Sequence, residues 1–232
     1  MDLWKLLLLA VVVVGMVLIL AQPPELPKLP EGLRVEEGTF RVTTPQGHWE
    51  ELFGVYPVDA GFRVVSILHE KGKVLLEADL LYDPRWQPLA GTITRRAPEE
   101  VRYLYAFAST EVILRVQRGA RETTQTLALP PDALLWEPEI LGSWYALLRA
   151  APGEGALTVF SCLSAQTWEG TIEEGKEVWL RALGRPLPAT SRRLVLGAQD
   201  FEVFQQGDLL LGVRSPTFSA YLAEVLPEGL QR

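Results

Sequence analysis

Hydrophobic and polar positions fall into two regimes along this chain. Residues 6–21 carry no polar side chain. From residue 38 to the end, apolar residues come in short stretches of period two, or doubly apolar runs, separated by turn residues; that pattern predicts strands. Residues 62–68 and 74–82 read as a hairpin across Glu70-Lys71-Gly72-Lys73, where Gly72 supplies the positive φ that a tight turn needs. Residues 88–95 add a third strand. In residues 101–107, Val101, Tyr103, Tyr105 and Phe107 share one face and Arg102, Leu104 and Ala106 the other. Residues 112–118 and 121–129 form a second hairpin around Gly119, with Arg115, Arg118, Arg121 and Glu122 expected on a face in water.

The pattern changes at Leu129-Pro130-Pro131-Asp132. Residues 133–150 have roughly helical apolar spacing, with Leu134, Leu135, Ile140, Leu141, Trp144, Tyr145, Leu147 and Leu148 as the repeating positions. Pro138 restricts the first turn, so residue 139 is the safer start. A second β run follows at 157–163, 167–172, 176–183, 191–196, 201–205, 209–214 and 218–225, with Gln206-Gly207-Asp208 as a hairpin turn. The predicted fold is mainly β: a curved antiparallel sheet or half-barrel with one central covering helix, preceded by an N-terminal transmembrane helix. A sheet of this length must curl or close to avoid bare edges. Residues 1–22 form the anchor or signal, 23–37 a proline-rich spacer that lifts the domain off the surface, and 38–232 a single β-rich domain.

The apolar run of about 16 residues lies between the length of a signal-peptide core and that of a spanning helix. Two readings therefore stand: an uncleaved anchor stopped by Pro23 and Pro24, or a signal cleaved after Ala21. Lys5 and the amino terminus before the run favour a cytoplasmic N-terminus and an external C-terminal domain. The expected location is the bacterial cytoplasmic membrane, single-pass, or the periplasm or exterior after cleavage.

Two segments carry a resemblance. Residues Leu127-Ala128-Leu129-Pro130-Pro131-Asp132 lead into Ser143-Trp144-Tyr145-Ala146-Leu147-Leu148-Arg149, and residues 201–213 form a closing hairpin. In this order of strands, helix and strands the chain resembles uncharacterised bacterial exported β-rich proteins and lipoprotein-carrier-like half-barrels. The resemblance implies a curved sheet around a helix, with acyl chains as the ligand in the carriers, and it supplies no catalytic residue.

The net charge of -7 and pI of about 5.0 argue against a nucleic-acid partner. Cys162 is the only cysteine, so no disulfide forms within the chain, and its apolar neighbours suggest a small buried hydrophobe. His48 and His69 read as solvent-facing loop residues. Glu50 and Glu51 are adjacent in a strand, point to opposite faces and make a poor acid–base pair. Nothing has metal-ligand or phosphate-loop spacing, so no metal or cofactor is expected and the chain reads as a non-enzyme.

The aromatics remain. Tyr103, Tyr105 and Phe107 on one strand face, with Trp144 and Tyr145 on the covering helix, are either plain core or the lining of an apolar, lipid-binding pocket. Trp86, Trp168 and Trp179 are candidates for its mouth or for the membrane interface. Two functions follow: an envelope protein binding a lipid-like ligand in a half-barrel, or a structural or assembly module that binds a protein partner through an edge strand.

Overall fold

The computed structural model describes residues 26–151 and 153–227. The expected transmembrane helix and the cleavage site after Ala21 lie outside them. Among the described residues no helix is long and apolar enough to cross a membrane.

Eight strands open the domain: β1 (Glu36–Thr44), β2 (Gly47–Val58), β3 (Gly61–Glu70), β4 (Lys73–Tyr82), β5 (Pro88–Arg95), β6 (Val101–Ala108), β7 (Glu111–Arg118) and β8 (Arg121–Ala128). Each pairs antiparallel with the next. A two-residue β9 (Leu134–Leu135) and the helix α1 (Leu141–Ala150) follow. The second run comprises β10 (Gly155–Ser161), β11 (Gln166–Ile172), β12 (Lys176–Ala182), β13 (Arg185–Leu196), β14 (Gln199–Gln206), β15 (Leu209–Arg214), β16 (Ser219–Leu222) and β17 (Val225–Pro227).

The two meanders join where β1 lies antiparallel to β16, Phe40 opposite Leu222. The sheet forks at β13: residues 185–191 pair with β12, and residues 194–196 pair with β11. Pro186 and Pro188 sit inside this strand, opposite Arg181 and Trp179, in spite of the missing proline donors. From β8 the sheet can be followed through β1 and β16 to β10, which ends on the parallel β9. Among the described residues it is a curved, open sheet: β8 pairs on one side only, with β7.

Alternation decides what faces inward. Leu76, Ala78, Leu80 and Tyr82 of β4 are buried while their neighbours are partly exposed. The helix fills the concave side: every residue from Leu141 to Leu148 is buried, as expected of a helix that is apolar all round. It lies against β2, β3, β9 and β15.

The helix is shorter than the spacing predicts. Leu134 and Leu135, expected in its first turns, pair instead with Val159 and Phe160 of β10. Pro138 holds Glu137 out of helical conformation, so an extended segment and a turn intervene before Leu141. Ile140 occupies the N-cap position with no side-chain cap of its own. The cap comes from the sheet: the Glu51 carboxylate on β2 accepts the amides of Leu141 (2.9 Å) and Gly142 (3.2 Å).

Gly142 permits that approach. A Cβ there would lie 2.4 Å from Ser66 Oγ and 2.8 Å from Val64 Cγ1 on β3. Gly142→Ala is expected to push the helix start off the sheet and lower stability by about 1–3 kcal/mol. Thermal unfolding followed by circular dichroism checks this, with Gly153→Ala, where a Cβ meets nothing within 4 Å, as the control.

The spacer also differs from expectation. Leu29 packs on an outer-face cluster of Tyr56, Val65 and Ile67. The Pro30 carbonyl accepts from the Tyr56 hydroxyl (2.9 Å), and the Val35 amide donates to the Val55 carbonyl. This strap covers β3 from outside, which is why six consecutive residues of that strand are buried. The ordered domain thus includes residues assigned from sequence to the spacer, and these lie on the sheet wall.

Candidate functional site

Two buried glutamates hold α1 in place, Glu51 through its carboxylate and Glu137 through its backbone. Glu137 follows β9 and accepts from the Ser161 hydroxyl (2.8 Å) and from the amides of Cys162 and Leu163 (3.2 Å for the latter). Ser143 on the helix donates to the Glu137 carbonyl (2.9 Å) and accepts from the Glu137 amide (2.9 Å). Burial pushes both the Glu51 and the Glu137 carboxyl up to about 7, although the donors around each favour the ionised form. Glu50 points outward while its neighbour Glu51 is enclosed, as strand alternation requires.

Cys162 is equally enclosed. Burial raises the Cys162 thiol well above its ordinary value, the reverse of what an activated thiolate needs. His48 lies exposed in β2, 3.1 Å from the Thr43 hydroxyl. His69 departs from the expected loop position: it is buried in β3, beside a register irregularity at Leu68/His69, and burial lowers its pKa. Among the described residues no group of three or more His, Cys, Asp or Glu side chains could hold a metal.

Four of the five aromatics expected to line a pocket fall into three separate packing groups. Tyr105 meets Phe107 edge-on at 5.6 Å, and Phe107 meets Phe160 of β10 at 6.0 Å. Trp144 packs between Trp136 (5.5 Å) and Phe201 (4.9 Å). Tyr145 lies against Phe53 and Trp86, and its hydroxyl donates to Glu36. Tyr103 alone of the five lines a surface cleft. Trp86 and Trp168 pack into the core as well, against Phe62 and Trp136, whereas Trp179 is exposed.

The cleft that Tyr103 lines is where the sheet fails to close. It has a volume of about 380 Å³ and lies between the inner face of β6–β8 and the Cys162–Ala165 turn after β10. Its floor is apolar, from Tyr103, Leu114 and Val116; the β8 side presents Arg121, Thr123 and Gln125. Arg118 pairs directly opposite Arg121, so both guanidinium groups stand on this inner side. The sequence pattern places all four hairpin charges on one wet face. Instead Arg115 and Glu122 pair on the outer face at 3.2 Å, and neither Arg118 nor Arg121 has an ion-pair partner among the described residues. The signal is present in the alternation, since Arg118 shares parity with Leu114 and Val116.

Beside the cleft runs the free edge of β8. Its eight residues contain no proline and keep an unbroken register with β7. Threonine at 123, 124 and 126 suits an extended backbone. Edge strands are commonly blunted by bulges, proline or cover; β8 shows no bulge and no proline. A larger cleft of about 450 Å³ lies on the outer wall, but its Arg63 and Arg96 are already bound, to Asp79 and to Glu77 and Glu100.

No family model matches this chain, and no curated protein matches it. Among solved structures, the chain is similar to the crystal structure of a β-barrel-like protein of the domain of unknown function DUF1849 from Brucella abortus. Identity is 11%, the TM-score is 0.48, and the match covers 84% of this chain and 99% of that one.

Proposed function

We propose that this domain is a non-enzymatic binding module of the cell envelope that takes up an extended, acidic segment of a protein partner along β8. The observation that carries the reading is the unpaired edge of β8 running beside a cleft that holds two arginines without ion-pair partners among the described residues. A strand added to β8 satisfies the bare backbone groups, and alternate side chains of the guest enter the cleft. Carboxylates at those positions meet Arg118 and Arg121, which provides selectivity as well as attraction. The lipid-in-barrel alternative has less support, because the concave side is occupied by α1 and its aromatic contacts. Attachment to the membrane through residues 6–21 belongs to the same proposal and is supported by the sequence alone.

Selection of random displayed peptides on the full chain provides the test. Peptides that bind should alternate acidic with other residues, and each of Arg118→Glu and Arg121→Glu should weaken them at least tenfold, about 1.4 kcal/mol. Peptides that bind both variants as well as the parent chain would refute the assignment.

A further inference from the structure

The antiparallel meander of β1–β8 sends its turns alternately to two rims. One rim carries the turns at 45–46, 71–72, 96–100 and 119–120. Around these turns stand Lys28, Lys71, Lys73, Arg102, Arg118 and Arg121, all exposed and without an ion-pair partner among the described residues. Of the carboxylates beside the same turns, Glu100 is bound to Arg96 and Glu122 to Arg115, which leaves Glu70 and Glu99.

The opposite rim has the reverse sign. It holds the turns at 59–60 and 109–110, and the β16–β17 turn joins it where the Ala223 amide donates to the Thr39 carbonyl near the start of β1. The β12–β13 hairpin reaches it too, because the Leu183 amide donates to the Glu224 carbonyl at 3.0 Å. Asp59, Glu111, Asp132 and Glu224 are exposed there, against Arg85 and Arg185. A basic rim on a chain of net charge -7 departs from the composition as a whole.

The chain enters the domain at the basic rim. Lys28 lines the outer-wall cleft with Glu77, Arg96, Glu100 and Arg102, beside the 96–100 turn. From there the strap runs to Val35, which bonds to Val55 toward the acidic rim. Ala21, the end of the apolar run, is seven residues from Lys28 and so lies within about 25 Å of it. The acidic rim is farther by the length of β3, roughly 33 Å for ten residues.

We infer that the basic rim lies against the anionic headgroups of a lipid bilayer. This inference rests on the membrane attachment proposed above. It does not depend on the guest strand, because Lys28, Lys71, Lys73 and Arg102 lie outside the β8 cleft. Position and charge agree: the rim within reach of the apolar run is the one whose cations lack protein partners. The outer-wall cleft provides a seat for a headgroup phosphate. Arg63 and Arg96 neutralise Asp79, Glu77 and Glu100 there, while Lys28 and Arg102 remain, with the Thr92 and Thr94 hydroxyls as further donors. Such a contact is screened by salt and needs anionic lipid.

The test reconstitutes the full chain in phosphatidylglycerol-rich vesicles and, for comparison, in phosphatidylcholine vesicles. An environment-sensitive fluorophore is placed on Gln46→Cys or Ala120→Cys at the basic rim, or on Ser109→Cys at the acidic rim. The native Cys162 is buried and stays unlabelled in folded protein. In phosphatidylglycerol, lipid spin-labelled at the headgroup should quench the probes at 46 and 120 at least threefold more than the probe at 109. That ratio should at least halve in phosphatidylcholine and in 0.5 M salt (roughly a 4 Å Debye length). The combined variant Lys28→Gln, Lys71→Gln, Lys73→Gln, Arg102→Gln should lower it equally. Circular dichroism confirms that each labelled chain is folded, and flotation with the vesicles in 0.5 M salt reports the attachment by itself. A chain that floats but shows equal quenching, strongest quenching at 109, or a ratio indifferent to salt and lipid charge would overturn the inference. A chain that does not float would refute the attachment on which it rests.

Discussion

Trp144→Ala is expected to lower the stability of this domain by about 3–5 kcal/mol, the range for removing a fully buried aromatic side chain. Trp144 is wholly enclosed and meets the rings of Trp136 and Phe201; its indole donates to the Pro138 carbonyl at 3.2 Å. Those contacts connect α1 to the segment after β9 and to β14, so alanine leaves a cavity and an unmatched carbonyl at once. Domains of this size have only about 5–15 kcal/mol in total. In urea, the midpoint should fall sharply while the slope stays constant. Trp179→Ala, at an exposed position, should remain within about 0.5 kcal/mol of the parent chain. Equal shifts for the two variants would contradict the packing described for α1.

The second large effect is on pH. Glu51 and Glu137 each titrate near 7 in the folded chain, raised by burial from an ordinary value of 4.5. Between those values the folded chain holds protons that the unfolded chain has released. The stability that each contributes is complete below pH 4.5 and is lost as pH rises through about 7. For a carboxyl moved that far the loss is up to about 3 kcal/mol per group. The melting temperature should therefore decline from pH 5 to pH 8, the reverse of the usual acid lability, before any irreversible acid damage sets in. Glu51→Gln and Glu137→Gln should each flatten that slope, whatever offset they introduce. A melting temperature that rises over the same interval would rule out protonation of these two groups in the folded chain.

Much of the β architecture is legible in the sequence where alternation and turn chemistry agree. The hairpin around Gly72, the aromatic face of β6 and the closing hairpin at Gly207 all occur in the structure. Strand β2 escapes the pattern because Gly54 and Pro57 interrupt its apolar positions. The glycine is required where Leu29 and Tyr56 crowd its face: a Cβ at residue 54 would lie 3.1 and 3.2 Å from them. The first half of β13 is hidden by Pro186 and Pro188 for the same reason. Glu51 and Glu137 are not recognisable as structural from sequence, since each is defined by amides distant along the chain, Glu51 by the start of α1 and Glu137 by the turn after β10. The candidate site depends on an event no local pattern records: among the described residues β8 finds no second neighbour. Only the parity of Arg118 with Leu114 and Val116 points toward it.

Amide hydrogen exchange on the full chain measures that free edge most directly. The central strands β3 and β4 should be strongly protected. Half of the β8 amides should exchange quickly in the free protein and slow by orders of magnitude when an alternating acidic peptide is added, with Arg118→Glu abolishing the change. A β8 already protected in the free chain, or peptide-induced protection confined to other strands, would contradict the proposal.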